Sequence, residues 1–223
     1  TPVFHLSTMP AEMDPRVHFV FNGGGDLDQA LRLCESVPPV PNEWTLEEWE
    51  GHREQLGREL RPEGGGLAAH HVLDALRTSL PEDGILAYDV GAHTHQIATQ
   101  WRTDLPHTLL ATNGWSSMGF GMPAAYAAQM VYPNRAVACV VGDGGFQMTV
   151  GELAVARRRN LAVPVIVLND GWLGLMKVKQ ERREFRLSGV ELGDRVASPP
   201  HYFGVPCRSV ESTEPVSYTH LRA

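Results

Sequence analysis

Two apolar runs that end in oxygen-rich turns constrain this chain more than anything else in it. Residues 136–141 form a short apolar run closed by Gly142-Asp143-Gly144, and residues 163–168 form a second, closed by Asn169-Asp170-Gly171. Runs of this length and composition become strands buried on both faces of a parallel sheet. Between them, Thr149-Val150-Gly151-Glu152 reads as a capping box opening a helix that continues to about Asn160. Pro164 sits near the start of the second run, where a missing N–H is tolerated. Together the pieces make a β-α-β unit, whose right-handed crossover returns the second strand parallel to the first. Asp143 and Asn169 then stand at strand carboxyl ends, roughly 5 Å apart plus side-chain reach if the strands are neighbours.

That end of an open α/β sheet is where ligands bind. A carboxylate, an amide oxygen and a main-chain carbonyl are hard donors that suit Mg²⁺ or Ca²⁺ and not zinc. Gly144 and Gly145 let backbone N–H groups approach an anion closely, as Gly-rich turns do ahead of a helix. Either turn alone is an ordinary connection, because Gly, Asn and Asp are common turn residues. The pair, on consecutive strands, points to a divalent metal bound to a diphosphate.

With these turns in place, the sequence resembles the thiamine diphosphate-dependent enzymes of the acetolactate synthase and pyruvate decarboxylase type, over residues 1 to about 215 and most strongly over 85–193. In that family GDG, a spacer and N mark the diphosphate-binding domain. The resemblance therefore implies Mg²⁺ held by the side chains of Asp143 and Asn169 and by the carbonyl of Gly171. Asp89-Val90-Gly91-Ala92-His93 is similar to the family's diphosphate loop, which implies that His93 and the main chain at Val90 and Gly91 face the phosphates together with Gly144 and Gly145. Ala92 stands where acetolactate synthases often have glutamine. The run from Asn113 to Pro123 looks like the aminopyrimidine loop. Within it, Met118 falls where the family places a bulky apolar side chain that bends the cofactor, a gap that a polarizable, unbranched thioether fills well. Taken without its neighbours, Met118 is ordinary core packing. Ser116 replaces a common glycine, and its implied contact is through the backbone carbonyl.

The implied cofactors are thiamine diphosphate and Mg²⁺, with FAD an expectation for the central domain of a full-length protein. The hard chemistry belongs to the cofactor. The protein's tasks are to hold it, bend it and protonate its pyrimidine. In the family that last task falls to a glutamate of an amino-terminal domain, usually from a neighbouring subunit, and no residue here matches it. The catalytic residue is therefore unassigned, and we expect the chain to be incomplete. The implied partners are a small 2-keto acid such as pyruvate and further copies in a homodimer or homotetramer.

Residues 186–193, Arg-Leu-Ser-Gly-Val-Glu-Leu-Gly, resemble a loop of acetolactate synthases, particularly catabolic ones. The tryptophan that selects the larger acceptor in biosynthetic members is replaced by Lys179, and residues 201–206 depart from the usual pattern. The expected activity is 2-keto acid decarboxylation with carboligation. The alternatives are a related decarboxylase or aldehyde lyase, and a cofactor-binding fragment with no turnover of its own.

The rest of the chain is organised around this domain. Residues 1–36 read as a remnant of a preceding α/β domain, with a strand from Phe19 leading through Gly23-Gly24-Gly25 into a helix over 27–34. The triple glycine lacks the dinucleotide-fingerprint spacing. Residues 37–66 form a linker whose helix opens on a second capping box at Thr45-Leu46-Glu47-Glu48 and ends near Leu60. Residues 67–215 form the diphosphate-binding domain, an open, mostly parallel sheet flanked by helices. Its other expected elements are a helix over 67–80, a strand over 85–89, a helix over 94–101, a strand over 108–111 and a helix over 123–131. Residues 216–223 match a translated library adapter and are expected to be non-native.

A net charge of −7 with pI about 5.8 argues against nucleic acid as a partner, since no basic face is evident to neutralise phosphates. There is no signal peptide and no apolar run long enough to span a membrane, so the cytoplasm is the expected location and no membrane partner is expected. Cys34, Cys139 and Cys207 are scattered and odd in number, which indicates neither a disulfide framework nor a zinc knuckle. His70 and His71, adjacent on a helix, are expected to face core and surface and not to share a metal, and His95 to face solvent. Arg157-Arg158-Arg159 complements a helix end, and Lys177, Lys179, Arg182 and Arg183 make a solvated helix face.

Overall fold

The computed structural model describes residues 2–12, 15–38, 44–61, 64, 66–193 and 199–211; the expected tail at 216–223 lies outside the described residues. The chain divides into two compact units, Thr1–His52 and Arg53–Ala223. In the first, β1 (Val3–Ser7) pairs in parallel with β2 (Phe19–Gly24). Glycine ends β2 for a steric reason, because a Cβ on Gly24 would lie 2.5 Å from Pro10 Cδ. Asp26 then caps α1 (Leu27–Glu35), its Oδ1 accepting the N–H groups of Asp28 and Gln29 at 3.0 and 3.2 Å. A cap of this kind contributes about 1 kcal/mol. The helix α2 (Leu46–Glu59) spans the division between the units and opens on the expected capping box. Glu48 accepts the Thr45 N–H at 2.8 Å and Thr45 Oγ1 accepts the Glu48 N–H at 3.2 Å. The Thr45 bonds hold the Glu48 carboxyl below its ordinary range.

In the second unit α3 (Ala69–Ser79), β3 (Ile85–Tyr88), α4 (His93–Gln100), β4 (Leu109–Leu110), α5 (Gly121–Val131) and β5 (Val137–Gly142) come first. They are followed by α6 (Asp143–Thr149), a 3-10 turn (Val150–Glu152), α7 (Leu153–Arg159), β6 (Val165–Leu168) and α8 (Gly174–Arg182). A short antiparallel hairpin, β7 (His201–Tyr202) with β8 (Val205–Pro206), comes last among the described residues. The central sheet is parallel throughout, in the order β4-β3-β5-β6.

Strand alternation produces the layers. Ile85 and Ala87 of β3 and Val137, Cys139 and Val141 of β5 point to one side, where Met122, Ala125 and Tyr126 of α5 and Leu153 and Ala156 of α7 cover them. Leu86 and Val140 point to the other, against Leu73 of α3, Ile97 of α4 and Trp101. Both faces are thus dry, which is why these strands read as unbroken apolar runs. Leu86 and Val140 are fully buried, and each such side chain contributes roughly 1.5–3 kcal/mol relative to exposure. Burial pushes the Cys139 thiol and the Tyr126 hydroxyl, both in this core, up to about 12.

Two local expectations change. The crossover helix does not open at Thr149: α6 begins at Asp143, directly from Gly142. Thr149 Oγ1 donates back to the Gly145 carbonyl at 3.1 Å in place of capping, as Ser and Thr hydroxyls do inside helices. The helical segment then tightens into the 3-10 turn before α7 resumes. Its end matches the expectation, with Asn160 left-handed at φ 51° and three arginines in the last turn. The second expectation concerns β6, which starts after Pro164. The Pro164 carbonyl accepts the Cys139 N–H at 2.9 Å, so the proline joins the ladder through its acceptor alone. Residues 201–206, outside the expected pattern, make the β7–β8 hairpin, and Tyr202 packs edge-on against Phe146 with ring centroids 5.4 Å apart.

Candidate functional site

Ladder register sets the site. Gly142 stands opposite Leu168 in the β5–β6 pair, so the next residues, Asp143 and Asn169, leave the sheet abreast at its carboxyl edge. Asp143 is only 9% exposed, and backbone groups grip its carboxylate. Oδ1 accepts the Gly144 N–H at 2.8 Å and Oδ2 accepts the Gly171 N–H at 2.7 Å. The second bond ties the two turns together. Burial raises the Asp143 carboxyl above its ordinary range, with the Gly171 and Gly144 N–H groups opposing the rise and the nearby Asp170 adding to it.

An ionised carboxylate offers about four lone-pair sites, so about two of them stay available to a cation. Asn169 is exposed, and its side-chain amide makes no hydrogen bond among the described residues. Gly171, at φ 78°, is in the left-handed region that suits glycine. Its carbonyl accepts the Leu192 N–H at 2.9 Å and keeps a second lone pair. Asp170 is occupied locally, accepting the Trp172 N–H at 2.9 Å in an Asx turn. Among the described residues no three His, Cys, Asp or Glu side chains gather as a metal cage. The donor set is therefore one carboxylate, one amide and one carbonyl, the hard oxygen set that suits Mg²⁺.

A second group of residues lies beside it. His93, the first residue of α4, is buried, and its ring lies against two glycines. A Cβ on Gly91 would sit 2.7 Å from His93 Cε1, and one on Gly142 3.4 Å from the same atom. His93 Nε2 is buried with no hydrogen-bond partner among the described residues. Burial lowers the pKa of the ring, and the Asp89 carbonyl and the charges of Asp89, Asp143 and Asp170 only partly offset this. An orphaned ring nitrogen in a cradle of glycines fits a phosphate oxygen. Val90 and Gly91 turn out of β3 at this same edge, and the Gly91 N–H is bonded to Thr94 Oγ1 at 3.2 Å. Gly144 and Gly145 lie buried in the first turn of α6, next to Asp143.

The 113–123 run follows β4 and leads into α5 at Gly121. Met118 is half-buried, and its Cε lies 3.0 Å from where a Cβ on Gly144 would be, which places the thioether at the start of α6. Ser116 has φ 49°, a conformation that favours the glycine it replaces. Ser116→Gly should therefore raise stability by about 0.5–1 kcal/mol, the relief of the left-handed backbone net of glycine's greater unfolded-state entropy. Urea denaturation checks this, and an unchanged or lower midpoint contradicts it.

One residue that sequence reasoning passed over is Asp89, at the end of β3. It is fully buried, and its carboxylate accepts the Gly119 N–H at 2.9 Å and the Phe120 N–H at 3.1 Å. Gly145 packs directly against it, so that a Cβ there would collide with Asp89 Oδ2.

The histidine pair differs from expectation. His70 is buried and His71 half-buried, with ring centroids 4.1 Å apart, because His71 Nδ1 turns back to accept the Ala68 N–H at 3.1 Å. His95 is exposed, as expected. On α8, Lys179 is exposed, while Lys177 is half-buried over the Trp172 ring, 4.1 Å from its centroid. Among the described residues no helix is long and apolar enough to cross a membrane.

Residues 89–212 match the profile of the thiamine pyrophosphate enzyme family, C-terminal TPP binding domain. The chain is 31% identical over 185 residues to the acetolactate synthase isozyme 2 large subunit of Escherichia coli (strain K12), covering 80% of this chain and 32% of that protein. It is 34% identical over 196 residues to the isozyme 1 large subunit of the same organism, covering 84% of this chain and 33% of that one. The chain thus spans about a third of the length of these curated relatives. A solved structure, the Rhodococcus jostii RHA1 thiamine diphosphate-dependent 4-hydroxybenzoylformate decarboxylase, shares the fold with a TM-score of 0.62 at 21% identity, over 80% of this chain and 31% of that one.

Proposed function

Because the chain belongs to the thiamine pyrophosphate enzymes and carries their C-terminal TPP binding domain, we propose that it is the diphosphate-binding part of an Mg²⁺-dependent enzyme that decarboxylates a small 2-keto acid such as pyruvate and joins the product to a second one, as an acetolactate synthase does. The observation that carries this reading is the Gly142–Leu168 rung of the β5–β6 ladder, from which Asp143 and Asn169 leave the sheet side by side, together with the buried, unpartnered Nε2 of His93. In it, Asp143, Asn169 and the Gly171 carbonyl hold Mg²⁺. His93 and the backbone at Val90, Gly91, Gly144 and Gly145 hold the diphosphate. When bound, thiamine diphosphate supplies the electron sink for the loss of CO₂.

This chain's own residues bind and orient. His93 would present Nε2, buried and without a hydrogen-bond partner among the described residues, to the diphosphate. Met118, packed against the start of α6, would support the ring end of the cofactor, and the Ser116 carbonyl would hold its aminopyrimidine. The glutamate that protonates the pyrimidine is expected from another part of the full protein, and no residue of this chain is given that role. A homodimer or homotetramer is the assembly this reading expects. Trp115, 99% exposed on the cofactor loop, and Met148, 63% exposed on α6, support a partner surface there. FAD belongs to this reading only as a ligand of the central domain.

Calorimetric titration tests the proposal. Thiamine diphosphate should bind with Mg²⁺ present and at least about tenfold more weakly with the metal chelated, a difference of about 1.4 kcal/mol. Equal affinity with and without metal would falsify the assignment. The competing reading, a decarboxylase or aldehyde lyase of the same superfamily, draws on Lys179, an exposed cation where biosynthetic members select their acceptor. Formation of an acceptor-dependent product by a full-length protein separates the two.

A further inference from the structure

We propose that Asp89 is a positioning residue that holds the turn carrying Met118 over the start of α6, an inference that rests on the thiamine diphosphate reading above. Residues 113–117 are exposed, and among the described residues their one hydrogen bond is local, from the Gly114 N–H to Asn113 Oδ1. Ser116 and Gly119 are both left-handed, with φ 49° and 87°. A turn made this way has no ladder or helix to set its place. It is fastened where it re-enters the domain, by the two bonds from the Gly119 and Phe120 N–H groups to Asp89 Oδ2 and Oδ1.

Asp89 is itself rigidly placed. Its N–H donates to the Val140 carbonyl at 3.0 Å, and its carbonyl accepts the Thr94 hydroxyl at 3.3 Å. One residue therefore joins three parts of the site: the diphosphate loop through its backbone, the Met118 turn through its carboxylate, and α6 through its close approach to Gly145. Hydrogen bonds to a carboxylate are about twice as strong as neutral ones, and a buried carboxylate without them is costly. Met118 directly precedes Gly119, so loosening the carboxylate end frees Met118 first. His93 stands on α4 and Asp143 opens α6, so neither is carried by the freed turn.

The test separates the two ends of the cofactor. The 223-residue chain and its Asp89→Asn variant are titrated calorimetrically with Mg²⁺ and inorganic pyrophosphate, then with Mg²⁺ and thiamine diphosphate. The variant should bind pyrophosphate within about threefold of the parent but lose most of the parent's roughly tenfold or greater preference for thiamine diphosphate. Met118→Ala should give the same split. Equal loss of both ligands, or no loss of either, overturns the positioning role. A parent that binds pyrophosphate and thiamine diphosphate equally overturns the loop assignment and this inference with it, whereas a parent that binds neither overturns the proposed function itself. Asp89→Ser, which keeps an acceptor in a smaller side chain, serves if the Asn variant is misfolded. If neither variant gives a native circular dichroism spectrum, Asp89 is a folding residue and the proposal fails.

Discussion

Asp143→Ala is expected to weaken Mg²⁺-dependent thiamine diphosphate binding by more than about 100-fold, or about 2.8 kcal/mol. It deletes the one anionic donor of the set and also the acceptor for the Gly144 and Gly171 N–H groups, so the second turn loses its tether to the first. Asp143→Asn isolates the charge, because it keeps one oxygen and the shape. A pH series adds a signed check. Burial raises this carboxyl in the folded chain above its ordinary value near 3.8. The folded, metal-free chain therefore holds the proton more tightly than the unfolded one. The cost of the buried charge is absent below the ordinary value and fully present above the raised one. A cation relieves that cost only when the group is ionised. Affinity for Mg²⁺ with cofactor should accordingly fall as pH drops through the raised value, and Asp143→Asn should flatten that dependence. Retained affinity in Asp143→Ala removes this residue from the metal site.

Gly145→Ala should destabilise the domain by about 3 kcal/mol or more, combining overpacking with damaged hydrogen bonds to a charged group. Its Cβ would lie 1.9 Å from Asp89 Oδ2 and 3.1 Å from Val141 Cγ2. Asp89 has no room to yield, since both of its oxygens are already engaged by the Gly119 and Phe120 N–H groups. Either the carboxylate moves and strands two backbone donors, or the first turn of α6 shifts away from β5. Gly151→Ala is the control: a Cβ there meets nothing within 4 Å, so stability should stay within about 0.5 kcal/mol of the parent. Thermal denaturation of both variants decides the matter, and similar midpoints would mean that the Gly145 contact relaxes without cost.

The parts of this fold that were legible in the sequence are those written by local physics. The apolar runs before Asp143 and Asn169 could be read as parallel strands, and the β5–β6 register makes them neighbours, with β5 buried and β6 half-buried at the end of the sheet order. The Thr45-to-Glu48 box was legible because both partners lie within one turn. Thr149 and Glu152 have the same spacing and mislead, because helical geometry has already begun at Asp143 and the Thr149 hydroxyl finds the Gly145 carbonyl first. Asp89 was not legible as a hub. Its partners, Gly119 and Phe120, come 30 and 31 residues later, and no local pattern encodes a contact made by a loop returning over a strand end. Nor did the pattern at 201–206 announce a hairpin, since its two strands have only two residues each.

The pairing of Gly142 with Leu168 also governs which edits such a chain can absorb. The separation of Asp143 and Asn169 comes from strand spacing and owes nothing to the length of the chain between them. Added residues at the exposed end of α7, around Arg159 and Asn160, would lengthen the detour and return the strand to the same rung. Removing a single residue within Val165–Leu168 is a different matter. It would turn Asn169 to the opposite side of the sheet and separate the donors at once. Tolerance to length change is therefore concentrated in the crossover, and intolerance in the four residues of β6.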